Sequence, residues 1–223
     1  MKTIRSSILC FVVLFLAAPL LHGQDLSKYR HFTVGMSLTR VLERTEQKAA
    51  DAKIIHARPA LIQELTWWPN PLGPSSRSDA VEQILFSFYN GELYKISVTY
   101  DRGSTEGLTA PDMMKAISAK YGPPTNVALE IDSSMNQQFE LRQKPVASWE
   151  DSQYSINLVR SSFSGDYELV IYSKRLNAEA EMALAEAVKL EKQEEPQREA
   201  ERQQKETDDL EVARQKNQKG FRP

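Results

Sequence analysis

The chain changes character near residue 176, and that break limits where a core can form. Before it, apolar periodicity, aromatics and turn residues alternate. From Asn177 the chain is rich in Glu, Gln, Lys and Ala, with no glycine until Gly220. That stretch carries 12 acidic and 9 basic residues. Such a composition supports a solvated helix and cannot supply a packed interior. The globular unit is therefore expected over 24–176 and a charged helical or partly disordered tail over 177–223.

The opening 23 residues have a different pattern. Lys2 and Arg5 precede an apolar run from Ile8 to Ala18, then Pro19 and a small residue, Gly23. This is the layout of a secretory signal peptide. The run is short for a span, which takes about 20 apolar residues. Cleavage after Gly23 is the expectation; cuts after Ala17 or Ala18, or retention as an anchor, are the alternatives. The pattern implies an exported protein, periplasmic or secreted, with no integral membrane span after cleavage. Cys10 leaves with the leader, so the mature chain holds no thiol. Its 26 basic and 30 acidic residues give a net charge of −4, which offers no basic stripe for nucleic acid.

The fold class expected is α+β: an antiparallel sheet with two helices packed on one face. Ser37 is placed to cap a helix over 38–52, with Leu38, Val41 and Leu42 at helical spacing. A strand is expected over 61–68, ended by Pro69, and the Pro-rich stretch 69–76 reads as loop. Strands at 81–89 and 92–100 flank Asn90-Gly91. A second helix over 111–121 has Pro111 in its first turn and Gly122-Pro123-Pro124 at its end. A weak strand at 127–131 or 139–141 comes next, then strands at 149–160 and 167–175. The order suggests two αβββ-like halves.

Register decides the turn at Asn90-Gly91. A two-residue turn would pair Phe88 with Leu93 and Phe86 with Lys95, and split the apolar residues between faces. A three-residue loop, Tyr89-Asn90-Gly91, pairs Phe86 with Tyr94 and Ile84 with Ile96. It requires Gly91 in the left-handed region as part of a bulge.

Two segments carry a resemblance. Gly35-Met36-Ser37 with Val41-Leu42, and Phe86-Ser87-Phe88-Tyr89-Asn90-Gly91-Glu92-Leu93, resemble the helix start and hairpin of small bacterial envelope domains of the SmpA/OmlA (BamE-like) and β-lactamase-inhibitor-protein-like type. Tyr121-Gly122-Pro123 is similar to a helix ending found there. The resemblance covers some 60 to 90 residues and implies a non-catalytic domain that binds proteins through its sheet or loops. The lipobox cysteine of the lipid-anchored members is absent.

Chemistry-bearing patterns are sparse. His31 and His56 stand 25 residues apart without a partner cluster, and zinc needs three or four converging ligands. No G-x-S-x-G elbow occurs. The carboxylate pairs Glu130/Asp132 and Glu150/Asp151 read as strand edge or loop. Asp101 to Glu106 lacks the alternating ligands of a calcium loop. No catalytic residue, metal or cofactor is assigned. The binding candidates are Trp67, Trp68 and Leu72, beside the Pro-rich loop. Adjacent strand residues face opposite ways, so one indole enters the core and the other faces out or lies under the loop. Trp149 reads as core or sheet edge.

In the tail, Ala178, Met182, Ala185 and Val188 form a modest apolar stripe, and Glu194/Arg198 and Glu201/Lys205 are acid-first pairs. Helix is expected over 177–194, with a kink or restart at Pro196. No sustained heptad supports a coiled coil. The first expectation for function is a non-catalytic interaction domain of the bacterial cell envelope that binds envelope proteins. The alternative is a carbohydrate- or peptidoglycan-binding module, and behind it a hydrolase of unrecognised type.

Overall fold

A computed structural model describes residues 25–69, 80–127, 145–161, 165–220 and 222. A two-stranded hairpin, β1 (Lys28–Tyr29) and β2 (Phe32–Thr33), leads into α1 (Leu38–Thr45). Four strands come next: β3 (Lys53–His56), β4 (Ile62–Trp67), β5 (Val81–Tyr89) and β6 (Glu92–Tyr100). A short α2 (Arg102–Thr105) and α3 (Ala110–Tyr121) precede four more: β7 (Asn126–Val127), β8 (Pro145–Glu150), β9 (Tyr154–Arg160) and β10 (Tyr167–Ser173). A 47-residue α4 (Lys174–Gly220) closes the order. All pairings in the main sheet are antiparallel, in the order β3-β4-β5-β6-β10-β9-β8-β7. The protein is thus α+β, as expected.

Each half is a helix followed by four strands, one strand more than the sequence suggested. The halves meet where β6 pairs β10, with Ser97 opposite Val170. Two apolar rows cross six strands on one face. One runs Leu65, Phe86, Ile96, Ile171, Ile156, Trp149; the other runs Trp67, Ile84, Val98, Leu169, Leu158, Ala147. A half-turn about the Ser97–Val170 pair exchanges the rows and sets Trp67 on Trp149. The carbonyls preceding both tryptophans are tied to the segments that leave the helices. Gln47 Nε2 donates to Thr66 O at 3.0 Å, and Thr125 N–H and Oγ1 donate to Ser148 O at 2.8 and 2.9 Å.

Both helices cover the face carrying these rows. α1 contributes Val41, with Leu38 and Leu42 at its rim, and α3 contributes Met113, Ile117 and Tyr121. Ser37 caps α1, its Oγ accepting from Arg40 N–H at 3.4 Å. α1 ends at Thr45 rather than 52, because Glu46 turns left-handed (φ 56°) and its N–H bonds Leu42 O. A 3-10 turn then leads into β3, a strand whose four residues gave no sequence signal. α3 starts on a Thr109–Asp112 capping box with proline in its first turn. At 150, Asp151 Oδ1 accepts from Gln153 and Tyr154 N–H (2.7 and 2.6 Å) and breaks the single strand expected over 149–160 into β8 and β9. β10 ends at Ser173 rather than 175, where α4 begins. The expected strand at 127–131 is described only for Asn126–Val127; the alternative at 139–141 lies outside the described residues.

The β5–β6 hairpin corrects the expected loop. Its turn has two residues, Asn90 and Gly91, both at positive φ (50° and 81°), closed by Tyr89 opposite Glu92. The extra residue sits inside β6 instead. Phe88 faces Leu93 and Ser87 faces Lys95, so Tyr94 is bulged out of register. Beyond it Phe86 meets Ile96 and Ile84 meets Val98. Ile84, Phe86, Ile96 and Val98 share a face as expected, with Phe86 and Ile84 each paired two positions further along β6; Tyr94, expected on that face, lies on the other.

The bulge gives the opposite face its core. Leu93 belongs to the main cluster, whereas Tyr94 packs with Ala60, Ile62, Leu176, Ala180 and Ala183 beneath α4. The boundary expected near 176 therefore falls inside a helix whose first turns dock on the sheet. The docked stripe is Leu176, Ala180, Ala183 and Ala187. The stripe expected from the sequence faces away, with Met182 66% and Val188 57% exposed.

Replacing Ala180 by Leu should lower unfolding stability by about 1–3 kcal/mol through overpacking. Ala185→Leu, on the outer side, should stay within about 0.5 kcal/mol. Urea unfolding followed by tryptophan fluorescence separates the two. Equal effects would mean that α4 docks by another face.

Candidate interaction surface

The paired tryptophans diverge. Trp67 ends β4 opposite Ile84, and its ring meets Phe32 edge-on, centroids 5.6 Å apart. Trp68 follows the strand and is 51% exposed. One indole thus belongs to the core and the other presents an open ring at the sheet margin. Leu72 lies outside the described residues.

The root of α4 forms the second element. Past the docked stripe a polar clamp holds the helix against the end of β3 and the segment after it. His56 Nδ1 lies 3.0 Å from Glu191 Oε1, and Arg58 donates through one nitrogen to both Glu194 oxygens at 3.0 and 3.1 Å. Arg198 approaches Glu194 from the next turn at 3.6 Å. Together with Ala187 and Leu190 these groups line an open groove of 260 Å³. That is below the roughly 300–1,000 Å³ of ordinary small-molecule pockets, and its charged groups already face one another. The pairing of His56 and Arg58 with Glu191 and Glu194 had no sequence signal, because the partners stand more than 130 residues apart.

Beyond the clamp α4 continues through Pro196 without the expected break. Every residue from 195 to 220 is exposed. These 26 residues extend about 39 Å at 1.5 Å per residue. Among the described residues of this stretch one ion pair reaches back to the clamp, Arg198 to Glu194 at 3.6 Å.

A third cluster joins α3 to the β1–β2 hairpin. Lys120 Nζ sits 5.4 Å from the Tyr29 ring centre and 4.9 Å from that of Tyr121, and Arg30 also stands over Tyr29 at 5.4 Å. Burial, and then the Arg30 charge, push the Lys120 ammonium below its ordinary pKa. Burial raises the Tyr100 and Tyr121 hydroxyls well above theirs, and Tyr121 donates to Lys28 O at 2.7 Å. The arrangement fastens α3 to the β1–β2 hairpin through cation–π contacts.

The carboxylates considered for chemistry have structural duties. Glu150 pairs with Lys174 at 2.7 Å, and Asp151 caps the β8–β9 turn. Asp101 caps α2, accepting from Ser104 N–H at 2.7 Å and Oγ at 2.8 Å. Glu130 and Asp132 lie outside the described residues. His31 is exposed on the β1–β2 turn, far in sequence from the His56 clamp. Among the described residues no three His, Cys, Asp or Glu side chains converge as a metal site would need. Trp149 is core, its Nε1 donating to Gly122 O at 2.8 Å.

The TP0088 domain profile matches residues 27–177, two-thirds of the chain and the whole described sheet. The chain belongs to the TP0088 domain family. No curated protein and no solved structure matches it. The TP0088 domain runs from the approach to β1 to the first turn of α4, and the exposed arm lies beyond the match. Among the described residues no helix is long and apolar enough to cross a membrane.

Trp67→Ala should cost about 3 kcal/mol, the lower end for a tryptophan removed from a core, because its ring is only partly buried. Trp68→Ala should change stability by less than about 0.5 kcal/mol. Guanidinium unfolding of both variants checks this; a large loss from Trp68→Ala would place that ring in a packed contact.

Proposed function

We propose that this protein is an exported, non-catalytic protein-interaction module of the bacterial cell envelope. The observation that carries the reading is the arm: a helix rooted on the sheet by a buried alanine seam and a polar clamp, then exposed over residues 195–220. A helix that buries nothing over this length adds nothing to the domain's own core, so its use lies in reach or contact. The apolar leader supports export. Duties already held by Glu150, Asp151, Asp101 and His56 leave these side chains engaged in structure rather than aimed at a substrate. The resemblance of the 35–42 and 86–93 segments to envelope domains points the same way. A second reading, a carbohydrate- or peptidoglycan-binding module, rests on one observation, the half-exposed Trp68 ring.

Mild cross-linking in envelopes, followed by capture through the full chain, tests both. A chain ending after Glu195 keeps the docked turns of α4 and removes the arm; Trp68→Ala keeps the arm. The expected result is a specific protein recovered by the full chain and lost with the arm. Unchanged recovery by both variants would overturn the arm as the recognition element. Loss of peptidoglycan binding in Trp68→Ala, with no protein recovered, would replace the first reading by the second.

A further inference from the structure

The charges of this chain are sorted along its length. Every acidic residue lies at or before Glu211. From 212 onward the only charged side chains are Arg214, Lys216, Lys219 and Arg222. The stretch 24–211 carries 22 basic and 30 acidic residues, net −8, while the distal stretch carries +4. Most of the cations lie on α4, all are exposed, and Arg214, Lys216 and Lys219 make no ion pair among the described residues. No acid stands three or four residues from Lys216 or Lys219. The helix dipole favours cations in the last turn, which accounts for Lys219. It fades within the last turn, short of Arg214 five residues before Lys219, and does not explain why acids stop at 211.

We propose that the distal end of α4 docks on an anionic lipid bilayer, using Arg214, Lys216, Lys219 and Arg222. The complementarity is electrostatic and directional. An anionic surface attracts the +4 end and repels the −8 remainder. The arm therefore meets the surface by its end, with the TP0088 domain held off by about 39 Å of helix. Lys and Arg near such a surface contribute additively, and the attraction fades within a Debye length, about 8 Å at physiological salt. Only the distal turns come that close in an end-on approach. The stripe from Leu176 to Leu190 stays engaged with the sheet throughout, so docking needs no rearrangement of the fold.

The test is vesicle co-sedimentation with the chain from Gln24 onward, which carries every described element and omits the apolar leader. Phosphatidylcholine vesicles with and without phosphatidylglycerol are compared. Binding is expected only to the anionic vesicles, and it should weaken by about tenfold or more between roughly 20 and 300 mM salt. The R214E/K216E/K219E variant should lose about tenfold or more of the partition. R214Q/K216Q/K219Q, which adds no acid to the helix end, should lose a smaller share with its helical circular dichroism intact. The control R44E/K53E/K115E changes the net charge equally on the domain and should keep most of the binding. Equal binding to neutral vesicles, undiminished binding after distal reversal, or an equal loss in the control would overturn the proposal. So would absence of vesicle binding with binding of the distal end to soluble acidic protein instead.

Discussion

One inserted residue, Tyr94, is the constraint on which both faces of the sheet depend. In a regular strand Leu93 and Tyr94 would point to opposite sides, and every later residue of β6 would follow that alternation. The tight Asn90-Gly91 turn fixes Phe88 opposite Leu93. Continued without a bulge, that register would place Lys95 against Phe86 and send Ile96 and Val98 to the wrong face. The bulge restores them. It also leaves Tyr94 on the far side, where it becomes part of the seat for α4. The backbone around it is tied down as well: Gly35 N–H donates to Leu93 O at 2.7 Å, Leu93 N–H to Met36 O at 2.8 Å, and Leu38 N–H to Gly91 O at 3.0 Å. Gly35 reaches this position with φ 96°, a conformation that favours glycine. The segments 35–38 and 91–93 are therefore in contact, one holding the start of α1 and the other the hairpin.

The legible parts of the fold were those fixed by local chemistry. Ser37, Pro111 and Gly122 marked helix ends, and Asn90-Gly91 marked a hairpin, because caps and tight turns act within a few residues. The alternation of 84, 86 and 88 made the shared apolar face visible. The hidden parts were set by distant partners. The bulge lay between two apolar residues, so either neighbour could have been the extra one. β3 is a four-residue edge strand carried by its pairing with β4 rather than by its composition. For the candidate site, the divergence of Trp67 and Trp68 followed from strand alternation alone. The clamp between the end of β3 and α4 could not be read, since no local pattern links His56 to Glu191. In α4 two stripes were available, and the larger side chains, Met182 and Val188, suggested the wrong one. The sheet selects alanines because small side chains let the helix backbone lie close over Tyr94 and Ile62.

The near-symmetry of the halves has a physical content that residue identity does not show. Trp67 and Trp149 end the two apolar rows at opposite corners of the sheet. Each corner is fastened to neighbouring segments of its own half: Phe32 and the Gln47–Thr66 bond on one side, Gly122 and the Thr125–Ser148 bonds on the other. The large indoles close the ends of rows whose middles are filled by Ile, Leu, Val and Phe. The halves differ in their outer covering. α1 has eight residues and α3 has twelve, and only the first half has its reverse face sealed by α4.

That asymmetry explains where the arm leaves the body. α4 starts beside β10 at the centre of the sheet and crosses the reverse face of the first half, toward the β3 edge. Its apolar seam runs at 176, 180, 183, 187 and 190 by steps of three and four, and the same steps next reach Glu194, Gln197 and Glu201. The seam thus turns polar where the helix clears the last strand, and Arg58 meets the first of these acids there. Pro196 comes two residues later. A proline inside a helix removes one backbone hydrogen bond and costs about 3 kcal/mol. At this position the loss falls where docking has ended and the free helix begins, so the buried turns do not bear it. The two parts of α4 are in this way energetically separate: one is held by the sheet, the other by its own backbone bonds and exposed side-chain contacts such as Arg198–Glu194 and Gln204–Asp208, worth little each.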